Sequence, residues 1–145
     1  MTNFAWNQFL AVAKDVHIAV QENVTQNLAT AKVRTAISRA YYAAFHQGFS
    51  FASGWATPPH QGQHAWTIVF FLRTCQGLKN FKSAQKQKGY EIGQLLFTLR
   101  RMRIWADYED NPFSDDLYQI EMAIILSEGT CKLIGELEQE VPCRK

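Results

Sequence analysis

Apolar residues recur at three- and four-residue steps along most of this chain, and no long stretch alternates with period two. That spacing gathers side chains on one face of an α-helix, so the sequence reads as helices separated by short breaks. Trp6, Phe9, Leu10, Ala13, Val16, Val20 and Val24 predict a first helix over about Asn3–Val24, with Thr2 or Asn3 as its N-cap. A second helix is expected over about Asn27–Ser53. Val33, Ile37, Tyr41, Ala44, Gly48 and Ala52 form its stripe, Phe45 widens it, and Tyr42 and Phe49 lie on the other side. A helix that is apolar on two faces is central, or is shared between a core and an interface.

Gly54 and the Pro58-Pro59 pair end that helix. A third, over about Gln61–Gly77, is apolar nearly all round (Trp66, Ile68, Val69, Phe70, Phe71, Leu72) and should be buried. Lys79 to Lys88 reads as loop or frayed helix. A fourth helix over about Glu91–Tyr108 has Ile92, Leu95, Leu99, Met102 and Ala106 as its core stripe. The break at Asp110-Asn111-Pro112 leads to a strong helix start, with Ser114 able to cap and Asp115 and Asp116 in the first turn, where the helix dipole favours negative charge. This fifth helix runs to about Glu138. The expected fold class is all-α: a single domain over residues 1–145, built as an up-and-down antiparallel bundle of about five helices.

Composition narrows the function classes. The 145 residues are 47% hydrophobic and 19% charged, which fits one self-sufficient core and excludes intrinsic disorder. A net charge of +2 says nothing of global attraction to a polyanion, so a basic site must be local. Cys75, Cys131 and Cys143 have no CxxC spacing, and a reducing, cytoplasmic location is the expectation. No secretory signal peptide is expected from Met1-Thr2-Asn3-Phe4, and no apolar run reaches the ~20 residues of a membrane span.

Neither a metal nor a cofactor is expected. No GxGxxG, phosphate loop, GxSxG or paired-carboxylate motif is present. His60 and His64 have a spacing that can place two imidazoles on one helix face, but capping and turn contacts are the better reading. His17 reads as a core or boundary histidine. Two clusters stand out. In Ser38-Arg39-Ala40-Tyr41-Tyr42-Ala43-Ala44-Phe45-His46, the residues Arg39, Tyr42 and His46 fall on one face, opposite the core stripe, where they can grip a phosphate or a base. Alternatively, Arg39 pairs with an acid on a neighbouring helix and Tyr42 packs. In Arg100-Arg101-Met102-Arg103-Ile104-Trp105-Ala106-Asp107-Tyr108, Arg103 lies at the edge of the apolar stripe with its head at a rim. Asp107, four residues on, can accept from it. The three arginines make a local basic site.

The Ser-Arg-Ala-Tyr-Tyr-Ala-Ala-Phe run at 38–45, a histidine in the next loop or helix start (His60 or His64), and Arg-x-x-x-Asp-Tyr at 103–108 together resemble the HEPN family. They are most similar to its small stand-alone prokaryotic proteins, over about residues 5 to 138. The resemblance implies an all-α homodimer, often paired with a minimal nucleotidyltransferase antitoxin in a toxin–antitoxin system. It also implies metal-independent endoribonuclease activity in many members, carried by an arginine followed four to six residues later by a histidine. Here Asp107 stands at the histidine's place, followed by Tyr108. Arg103, Asp107 and Tyr108 are thus the candidate catalytic residues, and Arg39, Tyr42, His46 and Arg100 the candidate RNA- or nucleotide-binding ones. RNA cleavage needs a group that accepts a proton, one that returns it and a cation on the phosphate. Arg103 can supply the cation, but Asp107 paired to an arginine would donate a proton poorly. A non-catalytic homodimer that binds a nucleotide, RNA or protein is therefore the alternative. Tyr42 and Phe49 would form an exposed apolar patch unless something covers them, which is the sequence argument for a dimer.

Overall fold

The computed structural model of the chain describes residues 7–22, 26–108 and 116–142, with the side chains of 19–22, 26–30, 107–108 and 116–117 left out. The proposed caps at Thr2 or Asn3 and at Ser114, with Asp115, lie outside the described residues, as does Cys143. Five α-helices follow in order: α1 (Asn7–Glu22), α2 (Gln26–Ser53), α3 (Gln63–Leu72), α4 (Ser83–Tyr108) and α5 (Asp116–Glu140). A short 3₁₀ turn (Thr74–Gly77) follows α3. The fold is an all-α helical bundle. Among the described residues no helix is long and apolar enough to cross a membrane.

The second helix is central, as its two apolar faces require: α2 packs against α1, α3, α4 and α5. Val33, Ala36, Ile37, Ala40, Tyr41, Ala44 and Ala52 are fully buried on it. Two hydrogen bonds tie it to α5, a buried one from Ser127 Oγ to the Ala40 carbonyl (2.7 Å) and a partly buried one from Gln47 Nε2 to the Cys131 carbonyl (3.1 Å). On α4 the buried stripe runs through Ile92, Leu96, Leu99 and Ala106, so Leu96 takes the place expected for Leu95. Val69, on α3, is 44% exposed, which corrects the expectation that this helix is buried all round.

The most consequential departure lies between α2 and α3. His64 meets Tyr41 and Phe45, Trp66 meets Phe49, and Phe70 and Phe71 meet Phe51. The paired residues thus advance together along the two helices, so α3 runs alongside α2 in the same direction. The 54–62 segment carries the chain back by the roughly 18 Å of helix axis between Ser53 and Tyr41, a distance well within its extended reach. Gly62 then turns into α3 with a left-handed backbone (φ 71°), where no neighbouring atom limits its size and the conformation itself favours glycine. After that, α3 and α4, and α4 and α5, are antiparallel neighbours as expected, which leaves α5 running alongside α2 in the same direction, with Ser127 at Ala40 and Cys131 at Gln47.

Residues 83–88 form the first turns of α4, where loop or frayed helix was expected. Gln85 Oε1 accepts from the Lys82 backbone N–H (3.0 Å), half of a capping box. Lys88 forms ion pairs with Glu136 and Glu140 of α5, and Phe81 is buried just before the helix. Tertiary partners fix a segment whose composition alone is loop-like.

Gly89 and Gly93, one turn apart on α4, permit close approach of the α3 end. A Cβ at Gly93 would lie 2.6 Å from Leu72 Cδ2 and 3.1 Å from the Leu72 backbone nitrogen. Backbone cannot move aside as a side chain can. Gly93→Ala is therefore expected to cost about 1–3 kcal/mol, read as a lowered thermal midpoint. An unchanged midpoint would show that α3 shifts freely on α4.

Candidate functional site

The return of the chain along α2 delivers the first turn of α3 to the Arg103 end of α4, and the site is assembled there. Tyr41 is wholly buried in the core stripe. A buried phenol needs a hydrogen-bond partner, and Tyr41 Oη finds one 2.5 Å away in His64 Nδ1. The His64 ring also stacks on Phe45, with centroids 4.0 Å apart and planes 19° apart. This corrects the reading of His64 as a capping or turn residue: α3 is N-capped by Gly62 without a side-chain bond.

Arg103 approaches from α4. Its guanidinium carbon lies 5.0 Å from the centre of the Tyr42 ring and 5.7 Å from that of Tyr41. Tyr42 in turn stacks with His46, at 5.6 Å and 20°. A guanidinium and an imidazole thus both meet the Tyr42 ring, and cation–π attraction helps to hold the cation in place. Tyr42 is half-buried by these neighbours, and Phe49 by Phe45 and Trp66. Both are covered substantially within the chain itself.

Arg100, one turn before Arg103, is near enough for its charge to act on Tyr41 and His64. Its buried Nε has no hydrogen-bond partner among the described residues. Arg101 departs from the group: it is exposed, 5.9 Å from the Phe97 ring centre. The three arginines are therefore not one site, because successive residues point about 100° apart around a helix while Arg100 and Arg103 return to within about 60°. Arg39 lies on the same side of α2 as Tyr42, and no ion pair to it is seen among the described residues. It lies over Phe9 of α1 (5.5 Å), whose ring is 5.8 Å from that of His46, and it lines a groove beside Tyr42. Asp107 and Tyr108 occupy the last positions of α4, and their side chains lie outside the described residues. His17 sits at the α1–α5 boundary with Nε2 3.5 Å from Glu121 Oε1.

The electrostatics follow from burial and from the arginines. Burial, then Arg103, Arg100 and His46, hold the His64 imidazole down to about 4. Burial also lowers His46, and it raises the Tyr41 phenol well above its usual value against the opposing pull of Arg100 and Arg103. At neutral pH, Tyr41 and His64 are thus an uncharged pair beside two fixed cations. Among the described residues no three His, Cys, Asp or Glu side chains gather as a metal site would require.

The chain matches no family model, no curated protein and no solved structure. Its function is therefore read from the site.

One consequence concerns pH. Between about 4 and the ordinary histidine value of 6.5, the unfolded chain binds a proton at His64 that the folded chain does not. Stability contributed by neutral His64 is thus present above 6.5 and is lost progressively as pH falls through 4. Thermal unfolding at pH 5 and pH 7 should show this fall, and His64→Gln should reduce it. An imidazole titrating near 6.5 in the folded protein by NMR would contradict the buried, arginine-facing environment.

Proposed function

We propose that this chain is a HEPN-like protein, the toxin-side component of a toxin–antitoxin-like pair, which acts as a homodimer on RNA through the Arg100–Arg103 cluster. The observation that carries this reading is the convergence of Arg103 and Arg100 from α4 with Tyr42 and His46 from α2 and the Tyr41–His64 pair. Planar cations held beside aromatic rings bind phosphates bidentately and with low entropic cost. A minimal nucleotidyltransferase is the antitoxin this reading calls for, and a cytoplasmic location accords with it.

A specific observation favours binding over cleavage. The chemistry needs a proton donor near neutrality, yet burial and the arginines keep His64 neutral, and the motif position holds Asp107. Of the two readings, a non-catalytic homodimer that holds RNA or a nucleotide fits this chemistry better than a metal-independent endoribonuclease. Purified protein incubated with total RNA without metal separates them: cyclic-phosphate ends would establish cleavage, and salt-dependent retention of intact RNA would establish binding. In cells, growth arrest on expression that Arg103→Ala abolishes supports the toxin role. Arrest that survives both Arg103→Ala and His46→Ala would overturn it. Light scattering at micromolar concentration tests the dimer.

A further inference from the structure

Next to the Arg103 cluster, along α2 toward its N-terminal end, lies an open groove of about 250 Å³ lined by Arg34, Thr35, Ser38, Arg39 and Tyr42. Among the described residues its lining holds two guanidiniums, two hydroxyls and a phenol. We propose that this groove is a second phosphate subsite, so that the ligand is a single strand of RNA several nucleotides long rather than a free nucleotide. The proposal rests on the reading of the Arg103 cluster as an RNA site, and it adds Arg34, Thr35 and Ser38 to the residues that meet the strand.

Three observations carry it. Tyr42 belongs to both places: it walls the groove, and its ring carries the Arg103 guanidinium at 5.0 Å. A chain of phosphates can therefore pass from one cationic station to the next. The span is adequate, since Arg34 to Tyr42 covers about 12 Å of helix axis, while stacked nucleotides advance only about 3.4 Å along each strand. Arg39, although exposed, is propped on Phe9 at 5.5 Å, which limits the side-chain freedom it would lose on binding. A free nucleotide has use for one station. A phosphodiester strand, with a charge on every residue, fills both.

An acidic peptide is the competing occupant, because carboxylates also suit guanidiniums. The phosphate reading is favoured by Thr35 and Ser38, whose hydroxyls add donors beside the arginine forks for a group that offers more acceptor oxygens.

The test is fluorescence anisotropy with a labelled single-stranded RNA decamer and with a dinucleotide, comparing the wild-type chain with Arg34→Ala/Arg39→Ala. The double variant should bind the decamer about tenfold or more weakly. The slope of log affinity against log salt should be shallower by about 0.7 for each phosphate that is no longer neutralised, and dinucleotide affinity should fall much less than decamer affinity. Arg34→Gln/Arg39→Gln, which keeps long polar side chains, should behave in the same way and guards against a folding defect. Equal reductions for decamer and dinucleotide, or no reduction for either, would overturn the groove while leaving the Arg103 site standing. Displacement of the decamer by polyglutamate as readily as by unlabelled RNA would assign the groove to an acidic protein instead. Failure of the wild type to bind either RNA would overturn this proposal and the reading beneath it together.

Discussion

Arg103→Ala is expected to lower the affinity for single-stranded RNA by about ten- to a hundredfold while leaving the bundle folded. A hydrogen bond to a charged group contributes about 1.5–3 kcal/mol, and each 1.4 kcal/mol is tenfold in affinity. Folding stands to lose less, because the guanidinium is half-buried and its attraction to the Tyr41 and Tyr42 rings is of the order of 1 kcal/mol. Arg103→Lys should restore only part of the affinity, since an ammonium keeps the charge but loses the planar fork that both stacks on Tyr42 and grips a phosphate. Anisotropy titrations alongside circular dichroism check both halves of the expectation. RNA affinity unchanged in Arg103→Ala would remove this cluster from consideration as the binding site.

Phe71→Ala should have the largest effect on stability, about 3–5 kcal/mol. The ring is fully buried, stacks on Phe51 at 5.9 Å, meets Phe70 edge-on at 5.2 Å and packs over Gly48 of α2. Nothing in that arrangement can collapse cheaply into the space left. Against a typical total of about 5–15 kcal/mol, such a loss brings the chain near unfolding at body temperature. Because the same helix carries His64, the hydrogen bond to Tyr41 should loosen as well. Urea unfolding should give a lower midpoint with an unchanged slope. A midpoint shift near that of a surface substitution would mean that α3 is not anchored by this ring.

Much of the fold was written in the spacing of apolar residues. Ile37, Tyr41 and Ala44 on α2, and Ile92, Leu99 and Ala106 on α4, face the core as their periodicity requires. The path of the chain between helices was not, because periodicity is silent about loops. Short connections favour antiparallel neighbours, but the 54–62 segment is long enough to return along α2, and only its three-dimensional course brings His64 to Tyr41. The start of α4 was obscured for a different reason. Its lysine-rich composition is loop-like, and the ion pairs that stabilise it, Lys88 with Glu136 and Glu140, come from a helix about fifty residues away.

The candidate site was legible in part. Arg39, Tyr42, His46 and Arg103 were all marked by face and type, and Tyr42 and His46 do stack. A core-stripe Tyr41 hydroxyl was itself a signal that something polar must reach it, but nothing in the residue order named His64 as that partner. Arg34 and Thr35 left no such trace, because a groove is a property of surfaces and not of residue order.

Tyr41 belongs to the hydrophobic interior through its ring and to the polar cluster around His64 through its oxygen. Selection for whatever that cluster does and selection for keeping the chain intact therefore act on the same atoms. A random screen for loss of activity will gather Tyr41 and Phe45 among its strongest hits without separating the two causes. The position that reports on activity with least effect on packing is Arg39, which is exposed, whereas Arg100 has a buried Nε and Arg103 lies over the tyrosine rings.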